Sequence, residues 1–172
     1  VPAEAAQQKA GVKRELVLLV RLLVGVAAAV LFLGTVTTGT GPHAGSGEHV
    51  RRLHFPLERV TQLHADSALL LTGLIIATVF TVRMVDTSAL LRRRANWLAG
   101  MVLLQVAIGD TQYFLNLPSG VVELHVAGAT VLWCSTIWLY LGFTAPLREP
   151  VAAAVSERTG RPLLQRTAAS DS

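Results

Sequence analysis

The sequence predicts an all-α fold, an integral membrane four-helix bundle built from two similar helix pairs, and three observations lead there. Hydrophobic residues make up 52% of the 172 residues against 15% charged, and the mean hydropathy is +0.50. That balance is too apolar for an ordinary soluble domain of this size. The apolar residues gather in four long runs, each near the roughly 20 residues a helix needs to cross hydrocarbon. The runs are continuous, whereas the strands of a membrane barrel would show short alternating segments.

The first run, Leu16 to Thr38, follows Lys13 and Arg14. It is too long for a signal peptide and lacks a small-x-small cleavage site, so it is expected to be a retained helix. Residues 1–15 before it, polar and Ala-rich, read as a mobile cytoplasmic tail or linker. The segment from Thr38 to Pro56 is rich in Gly, His and Arg, and is expected to fold as a loop over the outer end of the bundle. Three further spans follow, Val60 to Val82, Ala95 to Leu115 and Val121 to Phe143, which makes 16–145 the transmembrane domain and 146–172 a C-terminal cytoplasmic tail. The single cysteine, Cys134, lies inside the fourth span, where it is expected to be a small packing residue; no intrachain disulfide can form.

A formal charge of +4 does not indicate nucleic acid, because the basic residues are scattered among loops and termini without interleaved aromatics. Topology accounts for them. Lys9, Lys13 and Arg14 precede the first span, Arg83 and Arg92 to Arg94 join the second and third, and Arg148 follows the fourth. The positive-inside rule makes these segments cytoplasmic, giving a multi-pass plasma-membrane protein with both termini inside. Arg51, Arg52 and Arg59 in the first outer loop run against the pattern, while the loop between the third and fourth spans has no Lys or Arg and fits the outside.

A weak internal repeat organises the chain. The first span ends in Gly34-Thr35-Val36-Thr37 and leads to Gln62-Leu63-His64-Ala65; the third ends in Gly109-Asp110-Thr111-Gln112 and leads to Glu123-Leu124-His125-Val126. With helices starting after Pro56 and Pro118, each His lies seven or eight residues in, or about 10 to 12 Å below the outer surface. His64 and His125 therefore enter from one side to matching depth, on helices expected to face each other across the bundle axis. Ser67 and Ala68 follow the first His by one turn, Gly128 and Ala129 the second, on the same helix faces. Small residues there leave room for a porphyrin edge, though they also suit close packing of membrane helices. An ionisable residue in an apolar span is costly unless paired or ligated. Two His without Cys or a well-placed carboxylate leave the usual shell of zinc incomplete, and Asp66 points to another face. One haem b, ligated by His64 and His125, fits best; with both axial positions filled, such a haem passes electrons and does not bind oxygen.

The strings GTVTTGTGPHAG, QLHAD and GDTQYFLNLPSGVVELHVAGA closely resemble the C-terminal half of haem A synthase in its actinobacterial form, over about Leu16 to Phe143. The resemblance implies an eight-helix enzyme of two similar halves that oxidises a methyl group of haem O to the formyl group of haem A for cytochrome oxidase assembly. It implies that His64 and His125 are the axial ligands of the C-terminal half's haem b, and that the N-terminal half handles the substrate haem. The chain departs from the catalytic half's pattern: it has no outer-loop cysteines, and Thr61 and Val122 stand three residues before the histidines where that half has Glu. The catalytic half is thus expected to lie outside this chain, which begins with Val1 and reads as a fragment or one part of a split protein. Implied partners are the lipid bilayer, an N-terminal half or a second copy, haem O, haem O synthase, and a quinol or other electron donor.

His43, Arg51 and Arg52 in the outer loop could neutralise haem propionates through charge-assisted hydrogen bonds, or be solvated loop charges, as His49 and His54 are expected to be. Asp110 either reaches the membrane interface or hydrogen-bonds His125 or a propionate or relays protons, with Gln105 and Gln112 as lesser candidates for similar contacts. Tyr113, Phe114, Trp133 and Trp138 suit an interfacial belt or bundle packing. Two other function classes remain open from sequence: a non-catalytic b-type electron carrier, which would need a second haem site, and a haem-free structural subunit of a respiratory complex whose histidines hydrogen-bond between helices.

Overall fold

The computed structural model describes residues 2–42, 44–45, 51–85 and 87–144, with side chains from residue 14 onward. Its four helices are α1 (Pro2–Thr40), α2 (Leu57–Met84), α3 (Ala89–Phe114) and α4 (Ser119–Thr144), with no strand among the described residues. Proline sets two of the starts: Pro56 and Pro118 stand immediately before α2 and α4, where a missing N–H costs nothing. At α3 the Ser88 hydroxyl caps the Leu91 N–H at 3.3 Å. The end of α3 is a Schellman turn, in which Leu117 N–H bonds Gln112 O at 2.8 Å and Asn116 N–H bonds Tyr113 O at 3.3 Å. Asn116 has a φ of 60°, a left-handed conformation its side chain tolerates.

The helix starts at Pro56 and Pro118 match those expected from sequence, but α1 is longer. Residues 2–15, expected as a mobile tail, continue α1. Alanine at 3, 5, 6 and 10, with Gln and Lys between, gives that segment high helix propensity, and Pro2 suits a first helical position. The C-terminal tail after 145 lies outside the described residues.

Three helical segments are long and apolar enough to cross a membrane: Arg14–Thr40, Leu57–Met84 and Ser119–Thr144. The third helix has the length, 26 residues, but Arg92 to Arg94, Asn96, Gln105, Asp110 and Gln112 dilute its apolar run.

Each helix packs on two neighbours: α1 on α2 and α4, α3 on α2 and α4, so that α2 and α4 stand on one diagonal. The core repeats with the sequence duplication. The shift that carries Gly34 onto Gly109 carries buried Val20, Leu23, Ala27 and Val30 of α1 onto buried Ala95, Leu98, Val102 and Gln105 of α3. The shift that carries His64 onto His125 carries buried Leu71, Ile75 and Thr78 of α2 onto buried Leu132, Thr136 and Leu139 of α4. Thr78 and Thr136 return their hydroxyls to the carbonyls of Leu74 and Leu132, which satisfies them inside an apolar core. Cys134 is not part of this core: it is exposed on the outward face of α4, because Leu132, Ser135, Thr136 and Leu139 occupy the inward positions.

The burial is one-sided along the axis. Among the described residues, all the buried side chains lie at or on the α2–α3 connection side of the level set by Val30, Leu71, Gln105 and Leu132. Beyond that level, toward the connections α1–α2 and α3–α4, Gly41 is the one buried residue among those described. The core of this bundle thus occupies one half of its length, and the side chains of the other half remain partly or fully exposed.

Candidate functional site

At the boundary between the buried and the more exposed halves stand His64 and His125, at the eighth position of α2 and the seventh of α4. Both are half-buried, and their ring centroids are 6.5 Å apart across the diagonal, with ring planes at 86°. Facing nitrogens in rings so separated remain about 4.3 Å apart, too far for a hydrogen bond. Two imidazoles bound through Nε2 to opposite sides of one metal, at about 2.0 Å each, place their centroids about 6.3 Å apart. The observed separation fits a metal between the rings and does not fit direct His–His bonding.

Each ring is seated on a glycine of the preceding helix. A Cβ added at Gly34 would stand 3.0 Å from His64 Cε1, and one at Gly109 would stand 3.3 Å from His125 Cε1. The two glycines occupy equivalent places in the repeat, and in both pairs the absence of a side chain lets the imidazole edge approach the helix backbone.

Nδ1 of His64 lies 3.1 Å from the Val30 carbonyl. A carbonyl can only accept, so the ring nitrogen donates, which fixes the Nδ1–H tautomer and leaves the Nε2 lone pair free for a metal. His125 has no such partner: its Nδ1 is buried without a hydrogen bond. Nor does Nε2 of either ring bond another described residue. A His125 that served only packing would thus leave polar atoms unsatisfied at a cost of about 1 to 3 kcal/mol.

Beside the rings, Ser67, Ala68, Gly128 and Ala129 are half-buried on the His-bearing faces, as their spacing predicts, with Thr61 and Val122 one turn further out. Asp66 and Glu123 are exposed on other faces. No group of three or more His, Cys, Asp or Glu gathers among the described residues, so the His pair has no third ligand of that kind beside it. The fit to a flat metal-bearing cofactor therefore rests on three features: two rings at the required centroid separation whose Nε2 atoms have no protein partner, an unsatisfied Nδ1, and small residues beside both rings.

The other residues singled out by sequence sit farther away. Arg51 and Arg52 are exposed and have no hydrogen-bonding partner among the described residues. They precede Leu53, whose N–H bonds the Gly39 carbonyl at 2.9 Å, so they lie near the C-terminal end of α1, beyond Gly34. His43 and His49 lie outside the described residues, and His54 is exposed. Asp110 is exposed and does not bond His125. Tyr113 and Phe114 pack edge to face at 5.5 Å. Gln105 is closer to the site than its sequence position suggested: it is buried, its Nε2 lacks a partner, and it lies against Gly128. The Val30 carbonyl was not foreseen, because backbone acceptors leave no mark in a residue pattern.

Compared with protein-family models, curated proteins and solved structures, the chain matches none.

Proposed function

We propose that this chain is a haem-b-binding module of haem A synthase type, holding one haem between His64 and His125 on the outer side of the cell membrane with both termini cytoplasmic. The observation that carries the reading is the 6.5 Å separation of the two rings across the bundle diagonal, with both Nε2 atoms unengaged. His64, oriented by the Val30 carbonyl, and His125 would be the two residues that hold the haem iron. A haem held by both residues would supply one-electron transfer and not oxygen binding. Gly34 and Gly109 set the depth of the two rings, Ser67, Ala68, Gly128 and Ala129 admit the flat edge, and the apolar residues inward of them close the site to water from the other side.

The His-bearing faces carry Thr61 and Val122 one turn outward of the ligands, neither able to act as a general acid or base near neutral pH. That supports an electron-handling half whose partner, an N-terminal half or a second copy, performs the oxidation of haem O, with a quinol or other donor supplying reducing equivalents and haem O synthase supplying substrate. Arg51 and Arg52, and His43 in the same loop, are the cations available to propionates.

The test is spectroscopic. The full chain, purified in detergent and supplied with haemin, is expected to show a low-spin b-type spectrum at one haem per chain. His64→Ala and His125→Ala are each expected to abolish it. A haem spectrum without low-spin character, or one indifferent to both substitutions, would remove the basis for the reading, and no haem uptake would favour a haem-free structural subunit.

A further inference from the structure

The duplication that relates the helix pairs breaks at one buried position. Val30, whose carbonyl holds His64, corresponds to Gln105, a polar side chain only 6% exposed in the core of α3. Its neighbour on the facing helix changes in step: Ser67 in the first pair corresponds to Gly128 in the second. A Cβ at Gly128 would overlap the Gln105 amide nitrogen. The larger residue on α3 thus occupies space that the missing side chain on α4 provides. A long amide is accommodated against α4 one turn from His125, where the first pair carries only a valine.

Two polar atoms are left unsatisfied there, Gln105 Nε2 and His125 Nδ1. Buried atoms of this kind are costly, and two on neighbouring elements are mutually explained if they share a bond. The amide oxygen and nitrogen of a glutamine exchange places by a half-turn of the terminal torsion. For His125 to present Nε2 to a metal its Nδ1 must carry the proton, and it then needs an acceptor.

We propose that Gln105 is the positioning residue of the His125 side: its side-chain amide, turned so that Oε1 faces α4, accepts the hydrogen bond of His125 Nδ1–H. This rests on the reading of His64 and His125 as ligands of one haem, and it makes the two ligands inequivalent. His64 is held by a backbone carbonyl, which replacing the Val30 side chain leaves in place, and His125 by a side chain that can itself be changed. The property of the bound haem is accordingly set from the α3–α4 pair.

The experiment makes the second pair a copy of the first. Gln105→Val with Gly128→Ser reproduces the Val30–Ser67 combination, so the core is expected to stay filled, which the melting temperature checks. Histidine-selective 15N NMR of the haem-free full chain is expected to show His125 as the Nδ1–H tautomer. In the double variant His125 is expected to lose that preference, with His64 unchanged. In the haem-loaded chain the variant is expected to retain haem about tenfold less well, with a raised midpoint potential. Gln105→Glu, which keeps an acceptor, is expected to restore retention and lower the potential. An unchanged His125 tautomer in the double variant overturns the proposal, because the Gln105 backbone carbonyl would then be the partner, as Val30's is for His64. Failure of the wild-type chain to bind haem would instead count against the functional reading, and the haem-free spectra would still decide the role of Gln105.

Discussion

Alanine substitution of the two ring-seating glycines separates ligand positioning from folding stability. Ordinary carbon–carbon contact is about 3.5 Å, so a Cβ at Gly34, 3.0 Å from His64 Cε1, demands a displacement of about 0.5 Å, against about 0.2 Å for Gly109 and its 3.3 Å contact with His125. A functional constellation tolerates about 0.5 Å of misplacement, which puts Gly34→Ala at the limit and Gly109→Ala within it. Moving His64 off α1 also stretches its 3.1 Å bond to the Val30 carbonyl toward about 3.6 Å, where it ceases to be a hydrogen bond. That loss is about 1 kcal/mol, and together with the shifted ring it should weaken haem retention about tenfold. Replacing a helical glycine by alanine stabilises the helix by about 1 kcal/mol. Gly109→Ala should therefore melt at a higher temperature with nearly normal haem content, while Gly34→Ala should hold its stability and lose haem. The assays are haem content by pyridine haemochrome after equilibrium dialysis, and thermal unfolding of the haem-free chain. Equal haem loss in the two variants, or none in either, would refute the argument that these glycines set the ring positions.

Two further substitutions probe the rest of the bundle. Leu71, 1% exposed at the floor of the site, is expected to cost about 2 to 5 kcal/mol on truncation to Ala, read by denaturation in detergent, while the low-spin spectrum of the folded fraction is retained because no ligand moves. Arg94 bonds the Trp138 carbonyl at 2.8 Å and lies 4.5 Å above its indole ring; Arg94→Lys should change Trp138 fluorescence and lower stability by about 1 kcal/mol, since an ammonium cannot make both contacts in the same plane.

The helices were legible in the sequence because membrane spans announce themselves by length and apolarity, and their starts because Pro56 and Pro118 fix them. The depth of both histidines and the small residues Ser67, Ala68, Gly128 and Ala129 on their faces followed from helical spacing alone. Distances did not: nothing in a residue string gives the 6.5 Å between rings on diagonal helices, or shows that Gly34 and Gly109, visible as helix-end glycines, seat those rings. Cys134 was misjudged because an apolar helix in a membrane chain carries little amphipathic signal; lipid-facing and core-facing positions are both hydrophobic, and only the packing told them apart. Apolarity was also a weaker guide for α3, where the polar residues that dilute the span include Gln105, the one that packs nearest the site.

The distribution of packing bears on which electron path the proposed haem can serve. His64 stands about 10 Å from the N-terminal end of α2 and about 30 Å from its C-terminal end at Met84. Among the described residues the histidines, His54, His64 and His125, all lie at the level of the His64–His125 pair or between it and the α1–α2 connection. Inward of them the positions on α2 and α4 that would carry a second ligand pair are taken by Leu71, Ile75, Thr78, Leu132, Thr136 and Leu139, all buried against one another or against α1 and α3. Opening that half for another porphyrin would mean emptying a close-packed core, each large side chain removed costing about 2 to 5 kcal/mol. A carrier that moves electrons from one membrane face to the other needs such a second site; a module that receives them at the outer face, or from a lipid-soluble donor at that level, does not. On the proposed reading the duplication produces two histidines for one cofactor, each helix pair contributing half of a single site, and this favours a one-sided electron-handling module over a transmembrane wire.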